Sequence, residues 1–217
     1  MTTRDTLLDA AAAALAEDGL AGVSARSVAG RAGVNQALVF YHFGSVSGML
    51  DAAVRRSVDL AVVSYRDRLA DVATLGELLS LGRDLHAAEK SLGNVLQMAQ
   101  VMAGAMRDET LAEAARYAMD RWTGEVETAL RRVLRPTPLD GIVDPRGLAR
   151  AVSAGFLGLE LHDAVDTQAG EDALRALEAV GALVSALDVL PPLAVRALRG
   201  RARRALSRAD SRRGGGA

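Results

Sequence analysis

Apolar residues recur every three or four positions along this chain and rarely alternate, so the pattern is helical nearly throughout. No proline precedes Pro136, which leaves everything before it free to be helical, interrupted only by glycines and caps. A first helix is predicted over Arg4–Asp18. Ser24 can cap a short second one with Val28, Ala29 and Ala32 on its inward face. Gly33 ends it, because a sharp reversal needs positive φ. Val34 then turns inward, and Asn35 can cap a third helix carrying Gln36, Ala37, Leu38, Phe40, Tyr41 and His42. Ser45 opens a long helix reaching about Val72, and the capping box Thr74-x-x-Glu77 starts another ending near Lys90. The uncharged run Ser91–Met106 reads as a buried helix, and Glu109–Leu134 as a longer amphipathic one. Arg135-Pro136-Thr137-Pro138 and the following DGIVDP form the longest loop. Asp144 and Pro145 then supply the cap and first residue of a helix to about Val165. A last one spans about Glu171–Leu190, stopped by Pro191-Pro192. With no strand pattern and no internal repeat, the expected class is all-α.

Two short helices joined by a glycine turn can present the second to a DNA major groove. The spacing alone fits a DNA reader and a plain helical hairpin equally well. The flanks decide. The helix Arg4–Asp18, the turn Ala32-Gly33-Val34, the cluster Phe40-Tyr41-His42-Phe43 and the cap Ser45 together resemble the N-terminal domain of the TetR family of bacterial transcriptional regulators. Three of the chain's seven aromatic residues lie in that cluster, so its match is specific. The resemblance implies a three-helix DNA-binding domain over residues 1–47 and a helical ligand-binding and dimerisation domain over 48–195, leaving an arginine-rich, partly disordered tail over 196–217. It also implies a DNA surface of Arg26, Asn35, Gln36, Ala37, Leu38, Tyr41 and His42. Gln36 can bond adenine in two places, whereas Ala37 and Leu38 can only pack, for instance on a thymine methyl. Phe40 lacks the hydroxyl of the family's usual tyrosine, and Val46 stands where a lysine is usual.

Charge changes the picture in two places. In the first fifty residues Arg4, Arg26 and Arg31 face Asp5, Asp9, Glu17 and Asp18. Phosphate neutralisation supplies much of the affinity for DNA, so operator binding with few ionic contacts and a shallow salt dependence is expected. Arg55 and Arg56 add to the DNA face if they point that way, and amides at the Asn35 and Ser45 caps can hold phosphate. At the other end, Arg196–Arg213 holds eight arginines and one acid, Asp210. That run reads as a short surface helix and solvated basic tail, or as an auxiliary contact to DNA or an acidic partner. The terminal GGGA is expected to be disordered.

The middle of the chain offers a candidate pocket. Met98, Met102 and Met106 share one face of an apolar helix, Asn94 and Gln97 add polar groups, and Tyr117, Trp122 and Phe156 are available aromatics. Any one of these residues alone reads more readily as core than as a ligand contact, and only the cluster together points to a pocket. A stripe of Ala151, Ala154, Gly155, Gly158, Leu159 and His162 faces Leu177, Val180, Gly181, Val184 and Leu187 or Asp188 on the next helix. Paired with their symmetry mates, these helices would make the four-helix dimer bundle that the resemblance implies.

The remaining classes are narrowed by what the chain lacks. Without cysteine there are no disulfides, thiolate metal sites or thiol nucleophiles. His42, His86 and His162 form no metal-binding pair, and no phosphate-cradling loop is present. His162 beside Glu160 and Asp163 invites an acid–base reading, but neighbouring helical positions point apart. No catalytic residue, metal or cofactor is therefore expected, and the chain is not expected to be an enzyme. The acid-bearing start, and the absence of a span long and apolar enough for a bilayer, give a cytoplasmic expectation with no membrane partner. The expected partners are an operator duplex, a small, largely apolar effector and a second copy of the chain. The alternative is a helical ligand carrier or adaptor that has lost operator binding.

Overall fold

The computed structural model describes residues 2–186 and 191–214. Among them every regular element is a helix, in the expected all-α class: α1 (Thr3–Gly22), α2 (Ala25–Ala32), α3 (Ala37–Phe43), α4 (Val46–Asp71), α5 (Leu75–Leu92), α6 (Asn94–Ala105), α7 (Glu109–Leu134), α8 (Pro145–Asp163), α9 (Thr167–Ser185) and α10 (Pro192–Gly214).

Local chemistry sets most of these boundaries. The Ser24 hydroxyl accepts from Ser27 N–H to start α2, and Gly33 ends it at φ 66°. The Asn35 side chain accepts from Ala37 N–H at 2.8 Å at the head of α3, Ser45 caps α4, and Thr74 with Glu77 forms the reciprocal cap of α5. Leu7, Ala11 and Ala14 of α1 close over Val28 and Ala29 of α2, Val39 of α3 and Met49 of α4, giving the head its own small core. That core is not isolated. Leu15 of α1 and Leu50 of α4 share a second cluster with Val101 of α6 and Leu111, Ala114 and Ala118 of α7. A third cluster joins Leu69, Leu81 and Leu85 to Leu130, Val133 and Ala149 at the far end of the bundle.

Three expected elements differ from what is found. Ser91–Met106 does not form one buried helix. Gly93 adopts φ 67° and ends α5, α6 begins only at Asn94, and Val101 is its one fully buried residue among those described. α9 starts earlier, at Thr167, because the Asp166 carboxylate accepts from Gln168 N–H; its expected continuation over 187–190, with Leu187 and Asp188, lies outside the described residues. The basic run belongs to a helix, α10, that starts before it at Pro192 and continues to Gly214, while residues 215–217 of the terminal GGGA lie outside the described residues. Arg199 donates to the carbonyls of Thr137 and Pro138, both at 3.0 Å, and so fastens α10 to the proline loop. That loop follows α7 at the end where Arg132 bonds the Val72 carbonyl. The head sits at the opposite end of the 26-residue α4, about 39 Å away at 1.5 Å per residue.

No single helix among the described residues is long and apolar enough to cross a membrane.

Candidate functional site

The first surface of interest is built by α2 and α3. Val39 is fully buried and Phe43 packs on the head core, so α3 is held by one face while the other points outward. On that outer face Gln36 and Ala37 are exposed, His42 is half-buried and Tyr41 is 80% exposed, whereas Leu38, also half-buried, packs with Phe43 against the head core. Arg26 and Asn35 are exposed on the α2 side. Six of the seven candidate DNA residues therefore reach the surface of one small domain, and Leu38 is the exception because it is drawn into the core beneath α3. Phe40, 51% exposed, accompanies them.

The arginines sort differently from their sequence positions. Arg31 is engaged by Glu17 at 2.7 Å and Asp18 at 2.8 Å. Arg55 binds Asp51 and lies over the Tyr117 ring, and Arg56 reaches Asp9 at 3.0 Å. Neither of the latter two supplements the DNA face, because α4 turns both towards α1 and α7. Arg4 stacks over the Phe43 ring. Arg26 forms no ion pair among the described residues.

Behind the head lies a cavity of about 150 Å³, walled by α4, α5, α6, α7 and α8, with Ala12 and Leu15 of α1 at its edge. Asn94, Gln97 and Met98 line it from α6, Trp122 from α7 and Phe156 from α8. Three expected members are elsewhere. Met102 packs into the cluster joining head and bundle. Met106 follows the last turn of α6 and is 87% exposed. Tyr117 turns outward, its hydroxyl donating to the Asp59 carboxylate at 2.9 Å. Two members absent from the sequence reading matter more: Tyr65 of α4 and Glu89 of α5 both line the cavity. A signal for each was present, since Tyr65 continues the inward spacing of Val54 and Val58, and Glu89 that of Leu81 and Leu85.

The head and the cavity are physically joined. The Gln100 side chain, on the cavity helix α6, accepts from Leu20 N–H at 2.8 Å, where Gly19 kinks α1 at φ 68°. Ser47 near the start of α4 donates to Asp108, the cap of α7, at 2.5 Å.

On the outer side of α8 and α9, Ala151, Ala154, Gly155 and His162 are exposed and Gly158 and Leu159 half-buried. Leu177 and Val180 are exposed too, and Val184 is half-buried. Gly181 differs: it is buried, and a Cβ there would collide with Leu79 of α5, so it serves packing within the subunit. Val165 and Leu183, exposed by 90% and 70%, extend the apolar face beyond the expected residues. His162 points outward while Glu160 and Asp163 turn inward, and it is His86 that meets Glu160, at 2.7 Å. Burial pushes the Glu160 carboxyl above its usual range, against the pull of His86.

Residues 7–53 match the family model described as bacterial regulatory proteins, tetR family. No curated protein matches the chain. Among solved structures, one from Rhodococcus sp. described as a TetR-family transcriptional regulator shares 25% identity at a TM-score of 0.67, covering 84% of this chain and 97% of that one. A protein from Streptomyces coelicolor A3(2) described as a transcriptional regulator shares 26% at 0.65, covering 82% and 98%. The multidrug binding protein EbrR, complexed with imidazole, shares 25% at 0.60, covering 82% and 94%. The head thus matches the TetR-family domain in sequence, and the chain shares its fold over most of its length with solved transcriptional regulators, one of them described as a member of that family.

Proposed function

We propose that this chain is a homodimeric repressor that holds a palindromic operator and is released from it by a small, largely apolar effector. Residues 1–47 read DNA through Arg26, Gln36 and the exposed side of α3, with Tyr41 and His42 on phosphate. Residues 48–195 hold the effector and the dimer contact, made by the outer faces of α8 and α9. Two heads must meet successive major grooves, about 34–36 Å apart or a multiple of that, so any change in head spacing weakens the complex.

The observation that carries this reading is that the cavity wall and the head are parts of the same helices. α4 lines the cavity through Val54, Val58 and Tyr65 and begins directly after the recognition helix. α6 lines it through Met98 and Val101 and reaches the α1 kink through Gln100. An occupant that shifts either helix moves the head. For the shift to release DNA, the effector has to bind the released arrangement more tightly than the DNA-bound one. The imidazole complex of the multidrug binding protein EbrR supports a small-molecule occupant for this fold.

The test is binding of the purified protein to the duplex upstream of its own gene, against a scrambled duplex, at two salt concentrations. Preference for the upstream duplex with a shallow salt slope is the expected result. A dimer that binds neither duplex would mean a ligand carrier or adaptor without an operator.

A further inference from the structure

One end of the cavity is acidic, and that sets the chemistry of its occupant. Glu89 is only 8% exposed, and it lines the cavity. One of its oxygens accepts from the Asn94 side chain at 3.2 Å and the other from Val95 N–H at 3.1 Å. Both donors are neutral, and acceptance by both oxygens is the pattern of a carboxylate. Among the described residues no arginine or lysine lines the cavity or pairs with Glu89. Arg68, on the neighbouring α4, is engaged by Asp84 at 2.6 Å. Tyr65 and Trp122 stand edge to face in the same wall, ring centroids 6.0 Å apart. Glu89 lines the same cavity as these rings, and burial first, then the charge of Glu89, hold the Tyr65 hydroxyl above the ordinary phenol range.

Three kinds of occupant can be compared. An anion would meet the Glu89 carboxylate with no cation among the described lining residues to offset it. A neutral apolar molecule would cover Glu89 and strip its water without supplying an opposite charge, which is costly in a low-dielectric site. An organic cation supplies that charge, places its apolar body against the walls and lays its positive end against aromatic rings. A cavity of about 150 Å³ accepts a molecule of about one ring. We infer that the cavity takes a small organic ammonium carried on a single-ring apolar body, its charge held between Glu89 and the Tyr65–Trp122 pair. This rests on the reading of the cavity as the effector site.

The test uses two probes of one shape, phenyltrimethylammonium and its neutral carbon isostere tert-butylbenzene. The chain's single tryptophan, Trp122, lies in the cavity wall, so its emission reports occupancy. The full-length protein is expected to bind the cation at least about tenfold more tightly than the neutral probe. Glu89→Gln keeps an oxygen for the cap of α6 and should bring the two affinities to within about threefold, leaving the neutral probe unweakened. Tyr65→Leu, a second variant that leaves the carboxylate in place, should also lower the preference for the cation. Equal binding of both probes by the unsubstituted protein, or a preference unmoved by both variants, would overturn the inference and leave the effector cavity standing. Binding of neither probe would overturn the cavity reading, and this inference with it.

Discussion

Replacing Gly19 with alanine tests the joint between head and cavity. Gly19 holds φ 68° and ψ 177°, a region that essentially only glycine occupies, so a side chain there costs about 1–3 kcal/mol in backbone strain. The new Cβ would lie 2.8 Å from the Gln100 Oε1 atom. That amide sits at the end of a flexible side chain and swings away, losing its bond from Leu20 N–H, worth about 1 kcal/mol. Gly19→Ala should therefore destabilise by about 3 kcal/mol, which for a chain of this length lowers Tm by roughly 6–12 °C. Gln100→Ala alone should cost only the hydrogen bond, about 1 kcal/mol. The double variant should match Gly19→Ala, because the bond is already lost, leaving a coupling energy of about 1 kcal/mol. Thermal and urea unfolding followed by circular dichroism give all four corners of the cycle. A Gly19→Ala variant within about 0.5 kcal/mol of the parent, or strictly additive effects, would refute the reasoning.

Other outcomes follow from the same structure. Arg26→Ala should cost about 1–3 kcal/mol on operator DNA and little on random DNA if the guanidinium pairs with a guanine, read by mobility shift; equal losses would make it a phosphate contact. With Arg31 tied to Glu17 and Asp18, Arg4 and Arg26 of two heads give a slope of log K against log salt of about −4, and a much steeper slope would point to further cations. Leu177→Glu places a charge on the exposed α9 face; the loss of two symmetric leucines should weaken dimerisation at least about 100-fold, and an unchanged dimer in sedimentation would place the interface elsewhere. Asp108 is held below its ordinary value of 3.8, first by the Ser47 hydroxyl and then by Leu111 N–H. A depressed carboxylate stabilises above its unfolded value and loses that contribution as pH falls through the folded one. Asp108→Ala should thus destabilise the protein at pH 7 by the worth of a cap, about 1 kcal/mol, with the gap closing only below pH 3.8; a gap that stays constant through that range in thermal unfolding would contradict the assignment.

The parts of the fold that local chemistry dictates were legible in the sequence. Ser24, Gly33, Ser45, Thr74 with Glu77, and Asp144 with Pro145 each act on residues a few positions away, and each stands at a helix boundary. What periodicity does not carry is which neighbour covers a face. The methionines at 98, 102 and 106 share a spacing, yet Met98 meets the cavity, Met102 the core and Met106 solvent. Gly181 fits a small-residue stripe and is instead pressed against Leu79, about a hundred positions earlier. The cavity's acid was hidden for another reason: Glu89 reads as a surface charge until its place in the inward row with Leu81 and Leu85 is noticed. The partnership of His86 with Glu160 spans 74 positions and has no local signature.

Footprinting of the dimer on operator DNA, with and without effector, tests the central claim most directly. The account predicts two symmetric protected half-sites one helical turn apart, about 34–36 Å, or a multiple of that, lost together when the cavity is filled. Protection without half-sites, or a footprint indifferent to an occupant of the cavity, would contradict it.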